Sequence, residues 1–247
     1  MKSNSKLILG VLGFSALLWV GCEKTQYPSS YLTATGPNPA MVINFESGLQ
    51  VSSNLAEANR PGNLIQTPGL IAATGSPSVT PLIASPGANG TADCVHMVGS
   101  VTDPGNASYP AILLLIPIET AGSGHYDASL FSGIKFYIKV AASDTASTRV
   151  FSIPIVKTSV APAGTCATYN TCYNNFAFTY PNTGGAWVLE TIPFTSMTRG
   201  NYGGSFTPST LSGANLQEIL SLQWSEGNQN VPATVNVDFA VDEVQFF

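Results

Sequence analysis

The segment Gly133-Ile-Lys-Phe-Tyr-Ile-Lys-Val140 alternates apolar and polar side chains without a break. A period of two marks an extended chain with one face buried and the other facing solvent. Ile134, Phe136, Ile138 and Val140 point one way; Lys135, Tyr137 and Lys139 point the other. Similar short runs rich in Val, Ile, Phe and Tyr recur along the chain, each cut by Gly, Pro, Asn or Ser, the punctuation of strands and turns. They predict strands at Met41–Glu46, Cys94–Val101, Ile112–Ile118, Ser132–Val140, Arg149–Lys157, Phe176–Tyr180, Trp187–Pro193, Ile219–Trp224 and Val235–Phe246. Helix signals are nearly absent, and the one short helical piece expected lies around Ser212–Leu220. In the last strand Val235, Val237, Phe239 and Val241 keep the period of two. Asp242-Glu243 then intervenes, and Val244 and Phe246 continue one residue out of phase, as a β-bulge requires. The segment Gly48–Gly90, rich in Pro, Gly, Ser, Thr and Ala, is expected to hold long loops with an irregular strand or two. About nine strands without an internal repeat predict one all-β domain, an antiparallel β-sandwich of jelly-roll type rather than a propeller or closed barrel.

Ahead of this domain the chain has a different texture. Lys2 and Lys6 precede an apolar run, Leu7 to Val20, of signal-peptide length and too short to span a bilayer core of about 30 Å. Gly21-Cys22 follows, so residues 1–21 resemble a bacterial lipoprotein signal peptide, with Trp19 where the lipobox usually has Leu. The resemblance implies cleavage before Cys22 and lipidation of its thiol, against the alternative of an ordinary secretory signal with an incidental cysteine. Residues 22–39 are Thr-, Ser-, Pro- and Gly-bearing, with little that could pack, and read as a solvated tether. Residues 40–247 form the folded domain. Several acyl chains on Cys22 would hold the protein firmly in a membrane. Glu23 in place of Asp after the cysteine favours the outer membrane or cell surface over the inner membrane.

Charge narrows the partners. Charged residues are 9% of the chain; removing Lys2 and Lys6 with the signal leaves seven Lys and Arg against 14 Asp and Glu, a net charge of −7. No Arg/Lys cluster offsets that balance, so a phosphate backbone would be repelled and nucleic acid is excluded as a partner. Apart from Cys22 there are three cysteines. Cys166 and Cys172 lie six residues apart in a polar loop with no histidine nearby and no zinc spacing, which favours a disulfide. Cys94, at the start of an apolar stretch, reads as a buried thiol.

From Met41 onward the order of segments resembles the galactose-binding-like jelly rolls, specifically modules similar to family 11 carbohydrate-binding modules. The matching pieces are Ile43-Asn-Phe-Glu-Ser-Gly48, Tyr126 to Lys139, the Cys166–Cys172 loop leading to Phe176, Trp187-Val-Leu-Glu-Thr-Ile-Pro-Phe194, Leu220-Ser-Leu-Gln-Trp224 and Phe239 to Phe246. Where such modules usually carry Trp-Gly after the strand ending at Phe194, this chain has Asn201-Tyr202-Gly203. The resemblance implies a glycan ligand. It also implies a structural calcium between first and last strands, for which Glu46 and Asp242 are the candidate carboxylates, with loop carbonyls completing the oxygen set; the alternative is that both are solvated edge charges.

Catalysis has little raw material. His96 falls within a strand and reads as structural; His125, in a loop, is a candidate ligand contact or a solvated turn residue. There is no Gly-x-Ser-x-Gly elbow, no His-Glu-x-x-His and no phosphate-binding Gly-rich loop. Nothing brings two carboxylates together over a cleft, as a glycosidase needs, so the chain reads as a non-enzyme. Binding is better supplied, because sugar rings stack their C–H faces on aromatic rings while polar side chains meet the hydroxyls. Trp187 and Trp224, in strands among apolar neighbours, are expected in the core. The candidate sugar contacts are Tyr126, Tyr137, Tyr169, Tyr202 and His125, with Tyr173 a further loop tyrosine. The leading reading is a surface-displayed carbohydrate-binding lipoprotein for polysaccharide capture or adhesion. The alternatives are a structural or protein-adhesive lipoprotein without a sugar site, and a polysaccharide hydrolase.

Overall fold

The computed structural model describes residues 40–43, 45, 82–84, 86–102, 111–118, 125–161, 163–167, 172–199, 209–228 and 233–247. Among the described residues eleven strands carry the fold: β1 (Ala40–Ile43), β2 (Leu82–Ala84), β3 (Cys94–Thr102), β4 (Ala111–Pro117), β5 (Gly133–Val140), β6 (Thr148–Ile153), β7 (Phe176–Thr179), β8 (Val188–Pro193), β9 (Thr198–Arg199), β10 (Ser221–Gly227) and β11 (Thr234–Phe246). They form two antiparallel sheets. One has the order β2-β3-β11-β5-β8 with β1 also paired to β11; the other runs β4-β10-β6-β7-β9. The molecule is the all-β jelly-roll sandwich that its alternation predicts. The helical piece expected around Ser212–Leu220 is a single 3-10 turn, Gly213–Gln217, short enough that strand β10 begins at Ser221. The short β2 falls in the Gly48–Gly90 segment expected to hold an irregular strand or two, whereas the two-residue β9 was not predicted and carries no readable alternation.

The core lies between the sheets. Ile134, Phe136, Ile138 and Val140 of β5 are all fully buried. Phe136 meets Phe151 of β6 and Trp224 of β10, with ring centroids 5.0 and 5.1 Å away, and those two rings are 4.9 Å apart. This trio joins the two sheets at their centre. Burial of such rings is the principal source of stability, roughly 25 cal/mol for each Å² of apolar surface removed from water.

The predicted bulge is present. Asp242 pairs with Tyr137 but Gln245 pairs with Lys135, one residue out of step, and Glu243 has a φ of 46°. The extra residue lets Val235, Val237, Phe239, Val241, Val244 and Phe246 all face inward and be buried. The Cys166–Cys172 disulfide is formed, with Cα atoms 5.6 Å apart. Cys94 is a buried thiol outside that bridge.

Candidate functional site

Strand parity fixes what the outside of the larger sheet presents. The outward side chains of β5 are Lys135, Tyr137 and Lys139, all half-buried. Across the pairing with β8, Tyr137 lies opposite Leu189 and Lys135 opposite Thr191. Across the pairing with β11, Lys139 lies opposite Ala240 and Lys135 opposite Gln245. Trp187, one residue before β8, continues the row; it is half-buried rather than in the core where its apolar neighbours placed it. The Nζ of Lys139 sits 5.9 Å from the centre of the Trp187 ring, at the outer limit of a cation–π contact. Leu189 is 45% exposed. A small alanine, Ala240, floors the patch between the aromatic row and strand β3. There His96 Nε2 lies 2.7 Å from Asp238 Oδ1.

Asp242 is fully buried. Its Oδ2 accepts hydrogen bonds from Ala88 N at 2.8 Å and Thr91 Oγ1 at 2.6 Å, and its Oδ1 from Glu243 N at 2.7 Å. The reading of Asp242 as a solvated edge charge is therefore corrected: the bulge turns its carboxylate under the 86–93 loop, which covers it. Gly87 makes this possible, because a Cβ there would stand 2.6 Å from Asp242 Oδ2 and 2.4 Å from the Asp93 carbonyl. The carboxylate is thus held by three donors, two backbone N–H groups and a hydroxyl. Among the described residues no three Asp, Glu, His or Cys side chains cluster as metal ligands, and Glu46 lies outside those residues.

The remaining candidates separate. Tyr126, expected as a stacking residue in a loop, is 5% exposed. Its backbone bridges to Ile219, and its ring stacks on Phe246 with centroids 5.4 Å apart and planes 8° from parallel. That stacking partner is a core ring rather than a sugar, so Tyr126 clamps the end of β11 and is removed from the candidate contacts. His125, just before it, is half-buried. Tyr173 is 56% exposed beside the disulfide. Cys22, Tyr169 and Tyr202 lie outside the described residues.

The sequence reading missed a buried polar cluster. Glu226 shares the inward parity of Leu222 and Trp224 on β10 and is fully buried. Beside it are Arg149, paired with it across β6 and β10, and the buried Tyr180 and Asp144. Arg149 Nη2 donates to Asp144 Oδ1, and Asp144 Oδ2 accepts from Asp238 N of β11 at 2.8 Å, so the 141–147 loop is tied to both sheets. Arg149 Nε stands 4.0 Å from Glu226 Oε2, beyond hydrogen-bond reach. Neither Glu226 oxygen has a hydrogen-bond partner among the described residues. One guanidinium cannot neutralise two buried carboxylates. Burial pushes the Glu226 carboxyl up to about 9, neighbouring Asp144 adds to the rise, and Tyr180 and Arg149 oppose it. Burial also raises the Tyr180 hydroxyl well above its ordinary range. Glu226, Asp144 and Tyr180 are thus buried together between the sheets.

The architecture defines the class as an antiparallel β-sandwich of jelly-roll type. Among solved structures the chain is similar to the family 11 carbohydrate-binding module of cellulosomal cellulase Lic26A-Cel5E of Clostridium thermocellum, at 19% identity and a TM-score of 0.52, covering 86% of this chain and 96% of that one. It is also similar to the family 11 module from Clostridium thermocellum in complex with a β-1,3-1,4-mixed-linked tetrasaccharide, at 18% identity and a TM-score of 0.51, covering 85% and 95%. At this identity the likeness establishes the fold. No protein-family profile and no curated protein matches the chain.

Proposed function

We propose that this protein is a non-catalytic, lipid-anchored envelope protein that binds a polysaccharide on the outer face of its larger sheet. The observation that carries the reading is the row formed by Tyr137 of β5, Leu189 of β8 and Trp187 just before β8, flanked by the polar side chains of Lys135, Lys139, Thr191 and Gln245. Aromatic rings stack on the C–H faces of sugars, and the flanking groups hydrogen-bond hydroxyls. Likeness to carbohydrate-binding modules supports the same reading. In this proposal Cys22 carries the lipid, residues 22–39 hold the domain away from the membrane, and the envelope location is the outer membrane or cell surface. A calcium ion held by Asp242, the 86–93 loop and Glu46 would fix the edge where β1 meets β11, serving structure rather than chemistry.

The test is a glycan array probed with the mature chain carrying Cys22→Ser, which removes only the lipid. Binding to at least one polysaccharide is expected, with Trp187→Ala and Tyr137→Ala each weakening it by about 1–2 kcal/mol, the loss of one stacked ring. An array without signal, or binding indifferent to both substitutions, would place the function elsewhere.

A further inference from the structure

Five Lys and Arg residues fall among the described residues: Lys135, Lys139, Arg149, Lys157 and Arg199. Arg149 is engaged by Asp144, and Lys157 Nζ lies 3.2 Å from Glu218 Oε2. Burial disfavours the charge of Arg199. Lys135 and Lys139 alone stand on an outer face without an ion-pair partner among the described residues. They sit on either side of Tyr137 on one strand, and at about 3.3 Å per residue they span roughly 13 Å along it. Two acids of that face are held by hydrogen bonds, Asp238 with His96 and Asp242 with Ala88 and Thr91. In a mature chain with net charge −7, these two ammonium groups flank the aromatic row on the strand that carries Tyr137.

From this charge pattern we infer that the glycan is anionic, a polysaccharide whose sugars carry uronic-acid carboxylates; the inference rests on the carbohydrate-binding reading above. When a pyranose ring lies flat against Tyr137 or Trp187, its carboxylate projects from the ring edge, in the plane of the sugar. Lys135 and Lys139 stand at that edge. Lys139 is on a flexible four-carbon stem, so its ammonium can leave the Trp187 face and meet the carboxylate as the sugar takes its place. The compact ammonium suits a single carboxylate at a ring edge. Two such contacts in water are individually modest and depend on salt. They favour acidic over neutral chains while the rings supply the stacking that both would share.

The mature chain bearing Cys22→Ser is titrated by affinity electrophoresis and calorimetry against polygalacturonate and alginate, neutral mixed-linkage β-glucan, and chondroitin sulfate freed of its uronate charge by carboxyl reduction. Polygalacturonate or alginate is expected to bind in low salt, and the affinity to drop roughly tenfold when salt reaches physiological strength. Lys135→Gln/Lys139→Gln should weaken binding roughly tenfold and flatten that salt dependence, while Lys157→Gln changes neither. Equal or tighter binding of the neutral glucan, with the double variant unaffected, would overturn the acidic assignment and leave the carbohydrate reading intact. Preference for the carboxyl-reduced sulfated chain would overturn the carboxylate in favour of sulfate. No binding of any of the three classes would overturn both this inference and the reading on which it rests.

Discussion

Glu226 offers a prediction that follows from strand parity and charge counting together. The group is fully buried, and its carboxyl is pushed up to about 9, first by burial and then by Asp144. The folded protein therefore keeps a proton there that the unfolded chain, with an ordinary glutamate near 4.5, releases at lower pH. Between those two values the native state binds one more proton than the unfolded state, so stability falls as pH rises. This contribution is fully present below about 4.5 and is lost progressively up to about 9. The slope is roughly 1.4 kcal/mol per pH unit. From pH 5 to pH 7 the loss is about 3 kcal/mol, and for a domain of this size each kcal/mol moves the melting point roughly 2–4 °C, so about 6–12 °C in all.

The perturbation is Glu226→Gln, which keeps the shape but cannot ionise. Calorimetric melts of both proteins at pH 5, 6, 7 and 8, at constant ionic strength, isolate this contribution. The difference in melting point, variant minus wild type, should rise steadily across the series as the wild type loses stability and the variant does not. If the two curves run parallel from pH 5 to pH 8, Glu226 is ionised in the folded protein and the argument from one guanidinium and two carboxylates is wrong.

Three further outcomes follow from residues already placed. Chelation with EGTA should lower the melting point of the wild type by several degrees and excess calcium restore it, because an ion bound only by the folded state adds roughly 2.7 kcal/mol at a hundred times its Kd; an unmoved melting curve would dismiss the calcium. Asp242→Ala should itself destabilise by about 3 kcal/mol by leaving the buried Ala88 N–H without an acceptor, so Asp242→Asn, which keeps an acceptor oxygen, is the variant that separates loss of calcium from loss of the loop anchor. Cys166→Ser should lower stability by about 2 kcal/mol, the chain-entropy effect of opening a short loop, measured by denaturant titration against the wild type. Metabolic labelling with an alkyne fatty acid should mark the wild type and not Cys22→Ser; equal labelling would remove the proposed anchor.

The sandwich was legible because its signal is local and repeated: parity in Gly133–Val140 assigned every inward side chain of β5, and the phase change at Asp242-Glu243 located the bulge. Failures came where parity was not carried to the end of a strand, or where a loop residue was taken for an exposed one. Tyr126 lies outside the regular strands, but its bridge to Ile219 and the ring of Phe246 draw it into the core; those contacts span about a hundred residues and leave no local mark. Trp187 erred in the opposite direction. It has the parity of Leu189 and Thr191, the outward side of β8, and apolar neighbours on an edge strand do not make a residue buried. Glu226 was the most readable of the misses. Leu222 and Trp224 are two apolar residues at inward positions, and the next residue of the same parity is a glutamate. A charge at an inward position must be paired, neutralised or at the rim, so that one extension of the pattern would have called for a cationic partner on a neighbouring strand. Arg149 holds the matching inward position on β6, opposite Glu226 in the register. The same parity argument applied to β5 leaves Lys135 and Lys139 on the outside with no demand for a partner from the fold, and a charge that the fold does not use is available to a ligand.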